Sequence, residues 1–373
     1  MIEKYYSGVI EQIYNRIGKE TRNIVMANYS NDFSIENLEV IRRYQSNEDN
    51  VFFAYSEFSY NTLVGAYEPF LDIICNMHRR FIGGSFDDFQ KECGVYYLHR
   101  QVLNSYYETG ECFREETVLL NEVAYEQRRM TMAIADMLKK LSEVKPLMIV
   151  INRFQMASKS SIETIKYLID NPCANIGIVL GVNAIVKGTD STVEVWDRIV
   201  ESLEDRSAIY YIGSAGPLKN NIKTTNDDEL YITMNFEQSI QEASNIMEFL
   251  DYEQARRGCR IIEHKIKFEN AWIDEKSLRR FYLVYARTSV LLGEMSKAIE
   301  LMNEYKALIP ENDSEHYFSL YYFMKGTCYM YQGKLEKAEG CAKKAYDYAL
   351  LADDELLEFK SELLSVMIKM SGW

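Results

Sequence analysis

The sequence predicts an α/β domain whose mainly parallel sheet is covered by helices on both faces, followed by an all-α domain. Three observations predict it. Short apolar runs alternate with helical patterns through about the first 220 residues. Strand signals then fade after a polar stretch, NNIKTTNDDEL at 220–230. Beyond it the pattern is helical and recurs at a fixed interval. The boundary falls in that polar stretch, giving an α/β domain at 1–225 and a helical domain at 226–373. Parallel strands need long crossovers, most often helices, so strands that alternate with helices imply a parallel sheet buried on both sides.

The elements follow in order. The start, MIEKYYSGVIEQIYNRIGKE, is charged and patterned as a helix, unlike a signal peptide. RNIVMANY (22–29) supplies a strand at 24–28, and a helical pattern runs through Ile35, Leu38 and Ile41. NVFFAYSEF (50–58) supplies a strand at 50–55, and YEPFLDIICNMHRRF (67–81) a helix entered at a proline. Met130, Ile134, Met137 or Leu138, and Leu141 recur at three- and four-residue steps, which predicts a long helix around 123–143. PLMIVI supplies a strand at 146–151, followed by a helix at 160–170. NIGIVLGV supplies a strand at 176–181, then a helix around 190–203, and AIYYIG a last strand at 208–212.

Composition narrows the function classes. Hydrophobic residues make up 47% and charged residues 26%, as in a soluble globular chain, and five prolines favour long regular elements. A net charge of −14 with no lysine- or arginine-rich run opposes binding to nucleic acid, which needs a basic face. No apolar run approaches the ~20 residues that span a bilayer. Seven cysteines without a C-x-x-C pair are expected to be reduced thiols of a cytoplasmic protein. His78, His99, His264 and His316 are dispersed, with no partner at metal-ligand spacing, so no metal is expected.

In the helical half, YLVYARTSVLLGEMSKAIELMNEYKALIP aligns with LYYFMKGTCYMYQGKLEKAEGCAKKAYDYAL at an offset of 40 residues (333 − 293). Ala286, Gly293 and Ala298 match Gly326, Gly333 and Ala338. Antiparallel helices approach closely only where contact points are small, and a glycine permits the turn between them. A third unit is expected around Ala243 and Ala255. This pattern resembles the tetratricopeptide repeat, with Tyr329 and Pro310 also on pattern positions. The resemblance implies stacked helical hairpins that bind a partner protein; the plain alternative is a helical bundle.

The first half is similar, in the order and shape of its elements, to the STAND branch of AAA+-type P-loop NTPases, found in LuxR-like regulators. AYEPFLDII (66–74) resembles that family's pY-x-PF helix, and PLMIVINRFQMAS (146–158) its PLLLVLDDLHWAD strand. A tetratricopeptide-like tail is usual there. The resemblance implies a phosphate loop after the first strand and acids at the end of the 146–151 strand. Placing G-x-x-x-x-G-K-[ST] on ANYSNDFSI (27–35) puts Ala27 and Asp32 at its glycines and Phe33 at its lysine. Ser30 falls inside the loop, and Ser34 alone keeps its role. Asp32 would repel a triphosphate, and Phe33 cannot neutralise one. Asn152 and Arg153 stand where the family has two acids for Mg²⁺ and water, and Gln155 alone is left to orient a water. RIGKET (16–21) and VKGTD (186–190) lack the upstream glycine, and GSAGP (213–217) reads as a turn.

The expectation is therefore a cytoplasmic, non-enzymatic, protein-binding or regulatory scaffold on a degenerate P-loop-NTPase-like domain. It has no catalytic residue, no cofactor, and no nucleic-acid or membrane partner. A homo-oligomer is compatible with it. The alternatives are an active STAND-type ATP-binding regulator, whose loop would lie elsewhere, and a fragment of a transcriptional regulator.

Overall fold

The computed structural model describes residues 2–29, 38–46, 50–59, 63–112, 122–183, 193–205, 208–211, 235–268, 273–312 and 314–371. They form two compact units. The first holds 2–112, 125–211 and Glu248–Gln254; the second holds 122–124, 235–247 and 255–371. The expected boundary at 225/226 lies outside the described residues.

The first unit opens with α1 (Ile2–Arg16) and β1 (Ile24–Tyr29), then α2 (Glu39–Ser46) and β2 (Phe52–Glu57). Helix α3 (Phe70–Met77) runs into a π-helical turn at His78–Ile82. Then come α4 (Phe86–Glu92), α5 (Tyr97–Thr109) and α6 (Val123–Val144). β3 (Leu147–Asn152), α7 (Lys159–Asp170), β4 (Ile176–Asn183), α8 (Val193–Asp205) and β5 (Ile209–Tyr211) complete the α/β core. The five strands among the described residues pair in parallel, in the order β2-β3-β4-β1-β5. Every residue of β3 and of β4 is buried, so both sheet faces are covered at the centre, and uninterrupted apolar runs are what such strands require.

Glycine sets how closely α1 approaches the sheet. A Cβ on Gly177 would lie 2.8 Å from Ile17 Cδ1 and 2.9 Å from Ile13 Cγ2, so the helix rests directly on bare backbone. Gly18, the nearest Gly-Lys pair to a phosphate-loop motif, ends α1 instead. It takes a left-handed φ of 78° and donates its N–H to the Ala174 carbonyl at 2.7 Å.

Four elements differ most from expectation. β2 begins at Phe52 rather than residue 50, because the Phe52 N–H is the first to donate across to β3, reaching Pro146 O at 2.8 Å. The helix expected from 67 begins at Phe70, since Tyr67 has a positive φ of 58° that a helix cannot contain. Helices α4 and α5 were not expected. Ser85 caps α4 by accepting from the Asp88 N–H at 3.2 Å, and Gly110 closes α5 in the left-handed region.

The second unit holds α9 (Phe236–Glu248) up to Met247 and α10 (Tyr252–Phe268) from Ala255, followed by two helix pairs, α11 (Glu275–Leu291) with α12 (Met295–Ala307) and α13 (Glu315–Tyr331) with α14 (Leu335–Leu351). Helix α15 (Glu355–Ser371) follows. The 40-residue period is visible bond by bond. Gly293 and Gly333 both turn the chain at positive φ, 78° and 71°. Glu294 N–H donates to Ser289 O at 2.8 Å, and its counterpart Lys334 N–H to Tyr329 O at 2.9 Å. Ala298 and Ala338 are fully buried, as are Ala243 and Ala255. Leu364 Cδ2 would lie 3.0 Å from a Cβ on Gly326. Enlarging Ala338 to leucine is expected to overpack this seam and cost about 1–3 kcal/mol; an unchanged denaturation midpoint would show that the position is loose.

Candidate functional site

In open parallel sheets, ligands collect beyond the carboxyl ends of the strands, where β1, β3 and β4 place the expected positions. Ala27 is buried on β1, in register with Gly181 of β4 and Tyr210 of β5. Ser30, Asp32, Phe33 and Ser34 lie outside the described residues. Asn152 ends β3, fully buried, opposite Glu57 of β2. Its amide packs over Gly181, where a Cβ would meet Asn152 Oδ1 at 2.8 Å and the Tyr6 hydroxyl closer still.

Arg153 leaves the strand in the left-handed region, φ 55° and ψ 38°. That turn sends its guanidinium back to β2. Nη1 lies 2.9 Å from Glu57 Oε1 and donates to Phe58 O at 3.3 Å. Tyr55 donates its hydroxyl to the other oxygen of Glu57. The carboxylate standing at these strand ends is thus held by an arginine and a tyrosine. Gln155 is buried in the short 3₁₀ turn Phe154–Met156, and its Oε1 accepts the Asn183 N–H at 3.3 Å. The side chain expected to orient a water therefore braces β3 against β4. The structure brings Ala27, Asn152, Arg153 and Gln155 to one end of the sheet.

The N-terminus of α7 lies just beyond, and a helix N-terminus is a natural anion site. Here the protein supplies the anion. Asp251, fully buried, accepts the Ser160 N–H at 3.0 Å and the Gln254 N–H at 3.4 Å. Burial pushes its carboxyl above the ordinary aspartate range, against the pull of these donors. Lys159 pairs with Glu253 at 2.9 Å, and Gln254 donates to Val64 O at 3.0 Å. Ser158 caps the helix through Ser161 N–H, while Ser161 Oγ donates to Glu68 O at 2.8 Å. Burial also raises Glu68, whose Oε2 accepts the Gly65 N–H at 2.9 Å.

Three features were not foreseen in the sequence. Asn28, next to Ala27, is fully buried, and neither its Oδ1 nor its Nδ2 has a hydrogen-bond partner among the described residues. A cavity of about 430 Å³ lies along edge strand β2, reached by Tyr55, Asp72, Asn76 and Arg80. The Asp251 cap is the third. Only the polar letters of LDYEQ hinted at it.

Elsewhere the chemistry is quiet among the described residues. No group of three or more His, Cys, Asp or Glu is placed to hold a metal ion. His78 hydrogen-bonds Tyr107 Oη at 3.1 Å, His99 faces Glu126 at 3.0 Å, and His316 faces Asp354 at 2.8 Å. Burial pushes the thiols of Cys75, Cys93 and Cys328 up to about 12, which leaves them protonated and poor nucleophiles. No helix among the described residues is long and apolar enough to cross a membrane. No family model matches the chain, and no curated protein matches it.

Proposed function

We propose that this protein is a non-catalytic, cytoplasmic, protein-binding or regulatory scaffold, built on a nucleotide-switch-like α/β unit and a tetratricopeptide-like helical unit. The observation that carries the reading is the Arg153–Glu57 pair. Where phosphoryl transfer needs a free carboxylate for Mg²⁺, the strand end presents asparagine and arginine, and the nearby carboxylate is neutralised at 2.9 Å. Gln155 and the α7 N-terminus, which would orient water or bind phosphate, are bonded to Asn183 and Asp251. Hairpins stacked at a 40-residue period support the role of the helical unit, because such arrays offer extended surfaces to partner segments.

One observation favours a second reading, an ATP-binding regulator of the STAND type. The buried amide of Asn28 near the end of β1, without a hydrogen-bond partner among the described residues, is the sort of group a ligand would satisfy. Titration calorimetry with ATP and Mg²⁺ separates the two. The scaffold reading expects no heat of binding at millimolar nucleotide. A dissociation constant near about 10 μM, roughly −6.8 kcal/mol, would overturn it and establish the nucleotide-binding reading.

A further inference from the structure

Helix α13 carries a basic strip on a chain whose net charge is −14. Tyr321, Lys325 and Tyr329 follow one another at four-residue steps, so they share one face of the helix. Lys325 Nζ lies 5.1 Å from the centre of the Tyr321 ring and 5.9 Å from that of Tyr329. Lys306, near the end of α12, reaches the Tyr321 ring at 5.5 Å. Lys334 and Lys337, at the start of α14, reach the Tyr329 ring at 6.0 and 5.9 Å. Two tyrosines thus gather four ammonium groups into one patch, because the negative ring face attracts cations.

None of these four lysines pairs with a carboxylate among the described residues, whereas Lys267 and Lys297 of the same unit share Glu263. Lys325 is half-buried, and its Nζ donates to neutral groups, the Tyr321 hydroxyl at 3.0 Å and Asn303 Oδ1 at 3.4 Å. An ammonium carries three donors, so one is left for a ligand. Lys306, Lys334 and Lys337 are exposed.

We propose that this strip is the docking site for an acidic, extended segment of a partner protein, with Lys325 as its central contact. The proposal rests on the reading of the helical unit as a partner-binding array and names the chemistry that array selects. Charge complementarity chooses the occupant. Four crowded cations repel one another until an anion meets them, and carboxylates accept short, charge-assisted hydrogen bonds from lysine. Length chooses the form. Eight residues of helix carry Tyr321 to Tyr329 over about 12 Å, which an extended segment covers in about four residues. A nucleic acid fits less well, since its continuous phosphate charge would run past four lysines onto a chain of net charge −14.

Fluorescence anisotropy on the full chain tests it, with the labelled peptide GDEDEDG as probe and its amide counterpart GNQNQNG as control. The acidic peptide should bind with a dissociation constant on the order of 100 μM, and the amide peptide should not bind. Raising salt from about 50 to 500 mM should weaken binding about tenfold, because the charges are exposed to screening. Lys325→Gln should weaken it about tenfold, as loss of a hydrogen bond between charged groups does. Joint Lys334→Gln and Lys337→Gln, both at exposed positions, should weaken it about fivefold. Lys4→Gln, at an exposed position of α1, also removes a positive charge and should leave affinity within about 1.5-fold. No binding of the acidic peptide, equal binding of the amide peptide, or indifference to the Lys334 and Lys337 changes overturns the site. Indifference to Lys325→Gln overturns its central place. Tighter binding of a labelled oligothymidylate overturns the assignment to a peptide. Calorimetry with ATP tests the scaffold reading separately, so a chain that binds neither ATP nor the acidic peptide overturns this proposal alone.

Discussion

Replacing Gly181 with alanine is expected to lower the unfolding free energy by about 3 kcal/mol, at the upper end of overpacking effects. The reason is local and specific. The new Cβ would lie far inside contact distance of the Tyr6 hydroxyl and 2.8 Å from Asn152 Oδ1. Both side chains are fully buried, and Tyr6 belongs to α1, which already sits against bare backbone at Gly177. Relief therefore demands a shift of the whole helix or of the β3 terminus, not a rotamer change. Gly340 provides the control. It sits in α14 with open space where its Cβ would be, so alanine there should stabilise by about 0.5–1 kcal/mol, because glycine weakens a helix interior. Chemical denaturation of both variants gives opposite signs if the packing is as described. A loss below about 1 kcal/mol for Gly181→Ala would mean that α1 yields easily.

Asp251→Ala is expected to cost about 2–4 kcal/mol in acid, where two buried N–H groups, of Ser160 and Gln254, lose their acceptor. The loss should shrink as pH rises. Burial holds the folded-state carboxyl above its unfolded value, so the folded protein binds this proton more tightly than the unfolded chain does. Below the ordinary aspartate range both states are protonated and the contribution is flat. As pH climbs from there through the raised folded value, the unfolded chain gives up its proton first and wild-type stability falls. Alanine has no such titration. Unfolding free energies of the two proteins at steps from about pH 4 to pH 7 should therefore converge. A gap that widens toward neutrality would show that the hydrogen bonds to the carboxylate outweigh its burial.

What the sequence disclosed follows from which forces are local. β3 and β4 were legible to within a residue or two, because strands buried on both faces must be uninterrupted apolar runs. Gly293 and Gly333 were legible because each hairpin turn needs a left-handed residue at a recurring offset. Helices α4 and α5 were missed. They are short and rest on single caps, Ser85 and Gly110, rather than on a long apolar period. At the candidate site, matching the shape of 146–158 placed Asn152, Arg153 and Gln155 at the strand end, but not what they touch. Arg153 finds Glu57 through a backbone turn at φ 55° that no composition rule requires of arginine. Asp251 and Ser160 stand 91 residues apart, and pairing at that distance leaves no periodic trace. Asn28 read simply as part of a strand.

That long separation bears on how the chain acquires its structure during synthesis. The described sheet strands are translated by residue 211, yet the first unit counts Glu248–Gln254 among its members. Until those residues leave the ribosome, the first turn of α7 has no acceptor for the Ser160 N–H, and Val64 O waits for Gln254. Domains usually fold as units, amino-terminal first, but here the last stitch of the early unit is carried by chain that emerges after it. Vectorial folding should therefore pause with the sheet assembled and α7 frayed at its start. A truncation after residue 225 would freeze the protein in that intermediate.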